Sequence, residues 1–286
     1  MNSPKKTQTH AALVWRRLRR SKTAVAGLVI VGVYLFLALC GPWLAPYDPY
    51  FQDLNLSYLR PCMDHWLGCD EFGRDILSRL LYGARVSLVI QFWAVMISLV
   101  IGTFLGSVSG YFGGRIDEVV MRLMDIMMAF PGILLALAIV AILGPSLTNL
   151  IVAIGINSVP GFSRVARGAV ISVKKNDYVT AARAIGESDL SILFRYVLPN
   201  AISPIIVQTT MRMATVLLTA AGLGFLGLGV QPPSPEWGTM LSAARVYLRS
   251  APHVAVIPGV TIMIVVLGFN FFGDGLQDAL NPRLKE

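Results

Sequence analysis

Charge is what this chain has least of. Of its 286 residues only 14% are Asp, Glu, Lys or Arg and 55% are apolar, against roughly a quarter charged in an ordinary soluble domain. That balance excludes a water-soluble globule and points to the bilayer. Cysteine and histidine are scarce too, at three residues each. His10, His65 and His253 stand in no recognisable catalytic order with a serine or cysteine, which argues against a hydrolytic enzyme. No Gly-Lys pair occurs anywhere, so the chain carries no G-x-x-x-x-G-K-[ST] phosphate loop and cannot bind ATP by that route.

The few cysteines need separate treatment, because Cys62, His65 and Cys69 lie close together with Asp64 and Asp70 among them. Soft ligands at short spacing suit zinc, but this spacing fits no common structural zinc pattern and a fourth ligand would have to be an aspartate. An external disulfide is the second alternative. Unpaired thiols are the expected state, and no metal is expected.

What the chain does have is apolar length. Residues 23–47, 86–114, 126–163 and 250–273 contain no charged side chain, and each run exceeds the roughly 20 residues a membrane helix needs. The third run is too long for one span and is interrupted by the turn residues Gly144, Pro145 and Ser146. A further run, 196–235, carries Arg212 as its single charge. The predicted fold is therefore all-α and polytopic, with six spans over roughly 24–44, 86–109, 120–143, 147–169, 200–228 and 253–273. Pro131, Pro160 and Pro258 fall inside these spans and can kink them.

Six spans put both ends on one side of the membrane. Seventeen of the 24 Lys and Arg residues lie on the side of the termini and of the loops near residues 115 and 180, while six lie opposite and Arg212 lies within a span. The positive-inside bias places both termini in the cytoplasm. The net charge of +8 belongs to this topology and not to nucleic acid, since the basic residues are spread over juxtamembrane loops without interleaved aromatics. A cleavable signal is the rival reading of the N-terminus. Leu39, before Cys40, is not the small residue that a lipoprotein cleavage site wants, so a retained first span is expected.

Two glycine patterns read as packing. Gly222 to Gly227 spells G-x-G-x-x-G, but it sits at the end of an apolar span without the preceding strand or following acidic residue of a dinucleotide site. Gly102, Gly106 and Gly110 recur every four residues on one helix face, as close helix packing requires. Ionisable residues within spans call for partners or function. Arg212 either faces a translocation path, where it offers charge to an anionic substrate group, or pairs with another helix. Gln208 and Asn157 are further candidates for the path. Asp125, three residues after Arg122, predicts a local pair.

Residues 177–200, DYVTAARAIGESDLSILFRYVLPN, interrupt the apolar pattern. Asn176 can cap a helix, Asp177 suits its first turn, and Ala181, Ala182 and Ala184 favour it. Gly186 stops it. Ser188 or Asp189 starts a second helix with Leu190, Leu193, Phe194 and Val197 on its apolar face, closed by Pro199. The first helix has few bulky anchors and presents a shallow surface that another protein's backbone can approach.

Ala181-Ala182, Gly186, Tyr196 and Leu198-Pro199 resemble the EAA loop of bacterial ABC-importer membrane subunits. The stretches Leu67 to Arg79, Leu223 to Gly229, Gln231 to Gly238 and Phe269 to Leu276 are similar to C-type permease subunits of dipeptide and oligopeptide importers. The resemblance implies a permease and not an enzyme, in the bacterial inner membrane. It implies that Tyr178, Thr180, Ala181, Ala182, Arg183, Gly186, Leu198 and Pro199 couple to a cytoplasmic ATPase. Thr180 departs from the family by standing where the loop's glutamate would be. The implied partners are a second, homologous permease, two ATPase subunits that hold ATP and Mg, an extracytoplasmic binding protein and membrane lipid, with no cofactor in this chain and no nucleic acid. Substrates of the same machinery include glutathione and nickel complexes, and a passive channel or membrane enzyme is the alternative of another class. The expected division is 1–45 (N-terminus and first span), 46–85 (extracytoplasmic segment, possible binding-protein contact) and 86–286 (five-span core with coupling loop 171–199).

Overall fold

The computed structural model describes residues 10–280, with side chains from Val14 onward. Among these residues all regular structure is helical, apart from an isolated bridge between Cys69 and Asp75. A short helix α1 (His10–Leu18) leads into α2 (Lys22–Leu44), whose N-terminus is capped by Ser21 accepting from the Ala24 N–H.

The next span begins ten residues earlier than its charges predict. Helix α3 (Ile76–Phe112) is capped by Asp75, which accepts from the Ser78 N–H at 2.8 Å. Arg79 does not stop it, because its Nε faces Asp70 at 3.3 Å and its Nη1 donates to the Pro49 carbonyl at 3.0 Å. A charge satisfied in this way can be carried inside a helix.

Helices α4 (Gly114–Ala129) and α5 (Gly132–Leu143) replace the single, proline-containing span expected over 120–143, and they meet at 88°. The cause is Pro131. It removes a backbone donor and pushes Phe130 into extended geometry, φ −91° and ψ 137°. Gly144, at φ +88°, then ends α5, and Ser146 caps α6 (Leu147–Val173) by accepting from the Asn149 N–H. Pro160 is accommodated inside α6 without breaking it.

Helix α7 (Asp177–Ala184) forms as expected, but the element after it differs. A single α-turn, α8 (Asp189–Ser191), widens into a π-turn over Ile192–Val197, passes through a 3₁₀ turn at Pro199–Ala201 and continues as α9 (Ile202–Phe225). Pro199 therefore opens a turn instead of closing a helix, at a first position where its missing N–H is not needed. The wide turn also changes the expected apolar face. Ile192, Leu193 and Val197 are buried, whereas Leu190 and Phe194 are exposed. Helices α10 (Trp237–Ala244) and α11 (Pro252–Leu280) complete the described chain, with Pro258 inside α11.

Four of these stretches are long and apolar enough to cross a bilayer: Lys22–Leu44, Ile76–Phe112, Asp189–Phe225 and Pro252–Leu280. The bent pair α4 and α5 makes a fifth if it is one span. Helix α6, at 27 residues, has the length. Asn149, Asn157, Arg164 and Arg167 leave it less apolar than the others.

The core is built on the contact between α3 and α6, the most extensive between any two elements. A Cβ on Gly106 would overlap the Ser163 carbonyl oxygen. One on Gly102 would lie 2.7 Å from the Val159 oxygen, and one on Gly110 2.8 Å from the Arg167 oxygen. Residues 102, 106 and 110 thus meet 159, 163 and 167, turn for turn, with backbone against backbone. The glycines at the end of α9 also serve packing: a Cβ on Gly224 would lie 2.7 Å from Glu236 Oε2, and one on Gly238 2.5 Å from the Ala221 oxygen. Buried polar groups tie the other helices in. Tyr34 donates to Gln91 at 2.6 Å, Gln91 to the Met213 carbonyl at 2.9 Å, and the Trp237 indole to the Leu80 carbonyl at 3.1 Å.

Candidate functional site

Helix α7 has two faces of different character. Val179 and Ala182 point inward, into a small apolar cluster with Tyr111, Val170, Ile192, Leu193 and Val197. Tyr178, Ala181 and Ile185 lie three and four residues apart along a second stripe, about a quarter-turn round from the first, and all are exposed, Ile185 at 78%. Thr180 and Arg183 are exposed as well. Eight residues give a helix too little intrinsic stability to stand alone, so its fixed position comes from the inward face.

Polar contacts reinforce that position. The Tyr111 hydroxyl, at the end of α3, donates to Asp189 Oδ1 at 2.7 Å, and Arg183 Nη2 lies 3.3 Å from both. Lys174 donates to the Tyr111 carbonyl and sits over its ring. Arg183 is thus engaged within the chain, and the hydrogen bond it donates to the Tyr111 hydroxyl is the main cause that raises its pKa further. At the C-terminus Gly186 adopts φ +86°, and the Glu187 N–H returns to the Ala182 carbonyl while the Gly186 N–H returns to Arg183. This is a Schellman closure that needs a left-handed residue. The N-terminal expectation is corrected in one detail: Asn176 precedes α7 but makes no side-chain cap, its amide turning instead to the Tyr178 hydroxyl.

Leu198 and Pro199 are not on the outer face of α7. Leu198 lines an apolar cavity of about 490 Å³ between α3 and α9 together with Thr103, Phe194 and Ile205, and Pro199 is exposed beside it. Sequence does not single out Ile185, and it marks Asp189 only as a possible helix start, not as a partner of Tyr111. The exposed isoleucine before a helix-stopping glycine was a usable signal for the first. For the pairing of the second no signal existed, because Tyr111 is 78 residues away.

A second group lies between α6 and α9. Asn157 and Gly161 are one turn apart on α6, and Gln208 and Arg212 one turn apart on α9. A Cβ on Gly161 would overlap the Arg212 guanidinium, coming within 3.1 Å of Cζ. Asn157 packs on Gly132, at the start of α5 just past the bend. All three polar side chains are half-buried, and among the described residues none makes a hydrogen bond or ion pair. Asp125 corrects a local expectation. Its partner is Arg164 on α6, at 2.7 Å, and not Arg122, because α4 lies against α6. Asp117 is held similarly by Arg167, with both oxygens at 2.6 Å, and also accepts from Ser109.

At the opposite end of the molecule residues 46–75 pack on the start of α3. Asp70 accepts from the Phe72 and Arg74 N–H groups and from Arg74 Nε, and faces Arg79. His65 lies 3.0 Å from Asp75 and stacks on Tyr47. The three cysteines are free: Cys62 is exposed, Cys40 half-buried and Cys69 buried, and burial pushes the Cys69 thiol up to about 12. Among the described residues no group of three His, Cys, Asp or Glu is placed to hold a metal.

Comparison with known proteins gives this geometry its family. Residues 102–286 match the binding-protein-dependent transport system inner membrane component, and residues 10–61 the N-terminal TM domain of oligopeptide transport permease C. The chain is 48% identical, over 99% of its length and 94% of the relative's, to the dipeptide transport system permease protein DppC of Alkalihalophilus pseudofirmus. It is 46% identical, over 95% and 90%, to the glutathione transport system permease protein GsiD of Escherichia coli. Its fold resembles that in the inward-facing conformations of the MetNI methionine ABC transporter, with a TM-score of 0.59 over 71% of this chain and 97% of that one, at 20% identity. With a helical membrane body, no ATP-binding loop and both family matches in place, the chain belongs to the inner membrane components of binding-protein-dependent ABC transport systems, as a multi-pass permease of the oligopeptide permease C type.

Proposed function

We propose that this chain is one of two different permease subunits of an ATP-driven importer of di- and oligopeptides, and that α7 is where a cytoplasmic ATPase engages it. The observation that carries this reading is the division of α7 into an inner face fixed to Tyr111 and Asp189 and an outer face, Tyr178, Ala181 and Ile185, left uncovered. Thr180 belongs to that exposed surface without supplying a carboxylate. The 48% identity to a dipeptide permease supports the substrate class.

In this reading α4 with α5 forms one bent span and α6 a sixth, whose Arg164 and Arg167 are paired with Asp125 and Asp117 of α4. Both termini and the 171–199 loop then lie in the cytoplasm with most of the basic residues. Residues 46–85 face outward and receive the binding protein, while 86–286 form the core. The partners are a second permease and two ATPase subunits that hold ATP and Mg. Closure of the ATPases displaces α7 and exchanges inward-open for outward-open states, a two-state element biased from a distant site.

The test is Ala181→Trp, a change on the outer face that leaves the inner cluster intact. In proteoliposomes holding the assembled transporter and its loaded binding protein, peptide uptake should fall about tenfold or more while the variant still inserts. Normal uptake with full coupling to ATP hydrolysis would overturn the assignment of α7. The 46% identity to a glutathione permease favours a second reading, in which the cargo is glutathione. Measuring which of dipeptide and glutathione the binding protein carries, and the complex imports, decides between them.

A further inference from the structure

We infer that Arg212, Gln208 and Asn157 form a carboxylate-binding station within the path, selective for peptides with a free C-terminal carboxylate, and that Gly161 positions the guanidinium. This rests on the peptide-import reading above.

A guanidinium inside a span is costly unless it is paired or serves transport. Arg212 stands 13 residues before Phe225, the end of its helix, or roughly 20 Å at 1.5 Å per residue. Among the described residues no carboxylate pairs with it. The two α4 acids that reach toward α6, Asp117 and Asp125, are bound by Arg167 and Arg164. The guanidinium rests instead on the turn of α6 that lacks a Cβ, at Gly161. It therefore lies against a neighbouring helix of its own subunit, half-buried between α6 and α9.

Gln208 stands one turn before it on α9, and Asn157 one turn before Gly161 on α6, both without partners among the described residues. A planar guanidinium fork matches a carboxylate by two parallel N–H···O bonds, and carboxamide N–H groups add donors around it. A guanidinium seated on Gly161, with a carboxamide one turn along each of the two helices, thus describes an anionic, planar, two-oxygen ligand. The free C-terminus of a peptide supplies that group. The α5 bend passes beside it, since Asn157 touches Gly132, so helix movement at the bend can open and close the station.

The experiment uses the assembled complex in proteoliposomes and a dipeptide that the binding protein carries both as free acid and as C-terminal amide. Uptake of each form is normalised to the loaded binding protein. The unaltered complex should import the acid faster than the amide. Arg212→Gln should lower uptake of the acid about tenfold, the loss of a charge-assisted pair, and leave the amide within about twofold. Arg212→Lys should retain part of the preference, and Gly161→Ala should reduce it by displacing the guanidinium. Equal losses for both forms together with failure to assemble would mark Arg212 as the partner of a carboxylate on the second permease, and would overturn the station. So would an unchanged preference in Arg212→Gln. Uptake of neither form by the unaltered complex would instead overturn the peptide reading, and the station with it.

Discussion

The hydroxyl of Tyr111 donates to Asp189 at 2.7 Å, joining the last turn of α3 to the first residue of α8. Arg183 reaches the same pair, so the end of α3 and two consecutive elements 72 and 78 residues later share one polar junction. Tyr111 is itself buried, and its ring packs with Val179 and Ala182. Removing only the hydroxyl separates the junction from the packing. Tyr111→Phe should insert and fold normally but reduce peptide imported per ATP hydrolysed by about fivefold or more, a coupling loss of ordinary allosteric size. Parallel measurement of uptake and phosphate release checks this, and an unchanged ratio would exclude the junction from coupling.

Gly106 tests the helix contact. An added methyl would overlap the Ser163 carbonyl, which is backbone and has no rotamer to yield. Gly106→Ala should therefore lower stability by about 1–3 kcal/mol, the usual cost of overpacking. Gly168→Ala on α6 is the control, because its Cβ meets nothing within 4 Å. Thermal unfolding of the two purified variants in the same detergent should show a lower midpoint for the first and none for the second.

At Gly186 space is not the constraint. A Cβ there meets nothing, but φ is +86°. The expected order of uptake is glycine, then asparagine, then alanine, then valine, because asparagine tolerates the left-handed region and β-branched residues do not. Alanine should cost roughly 1 kcal/mol locally. If valine matched glycine in an uptake assay, the Schellman closure would have no part in coupling.

The cysteines report on sidedness. Cys62 is exposed, whereas Cys69 is buried and its thiol is pushed up to about 12, so at neutral pH it remains protonated and unreactive. A membrane-impermeant maleimide added outside intact cells should label Cys62 and leave Cys69 unmodified until the protein is unfolded. Mass spectrometry of the digested protein distinguishes them. Labelling of Cys62 only from the cytoplasmic side would invert the proposed topology.

Much of the helical body was legible because charge-free length and four-residue glycine spacing are local signals. Gly102, Gly106 and Gly110 announced a close contact, though not that Val159, Ser163 and Arg167 would answer it. The errors came where tertiary partners changed a local rule. Arg79 looked like loop until Asp70 and the Pro49 carbonyl accounted for its charge. Asp125 was given to Arg122, its neighbour in sequence, when α4 folds it onto Arg164. Pro199 looked like a stop, yet the π-turn before it let the helix run on. The outer face of α7 followed from spacing, but its anchor on Tyr111 did not, since nothing in either segment encodes the other. Arg212 stood out as a lone charge, and only the fold places Gly161 beneath it.

The glycine ladder also fixes how displacement travels. With backbone against backbone over three turns, α3 and α6 have little freedom to slide, and they behave as one stiff rod. At 37 residues α3 is roughly 55 Å long, so a tilt of about five degrees at the Tyr111 end carries the other end through roughly 5 Å. That other end begins at Asp75 and holds the Asp70, Arg74 and Arg79 cluster. The segment that packs on the start of α3 therefore rides on the lever, and a small push at one end of the helix is geared into a larger swing at the other.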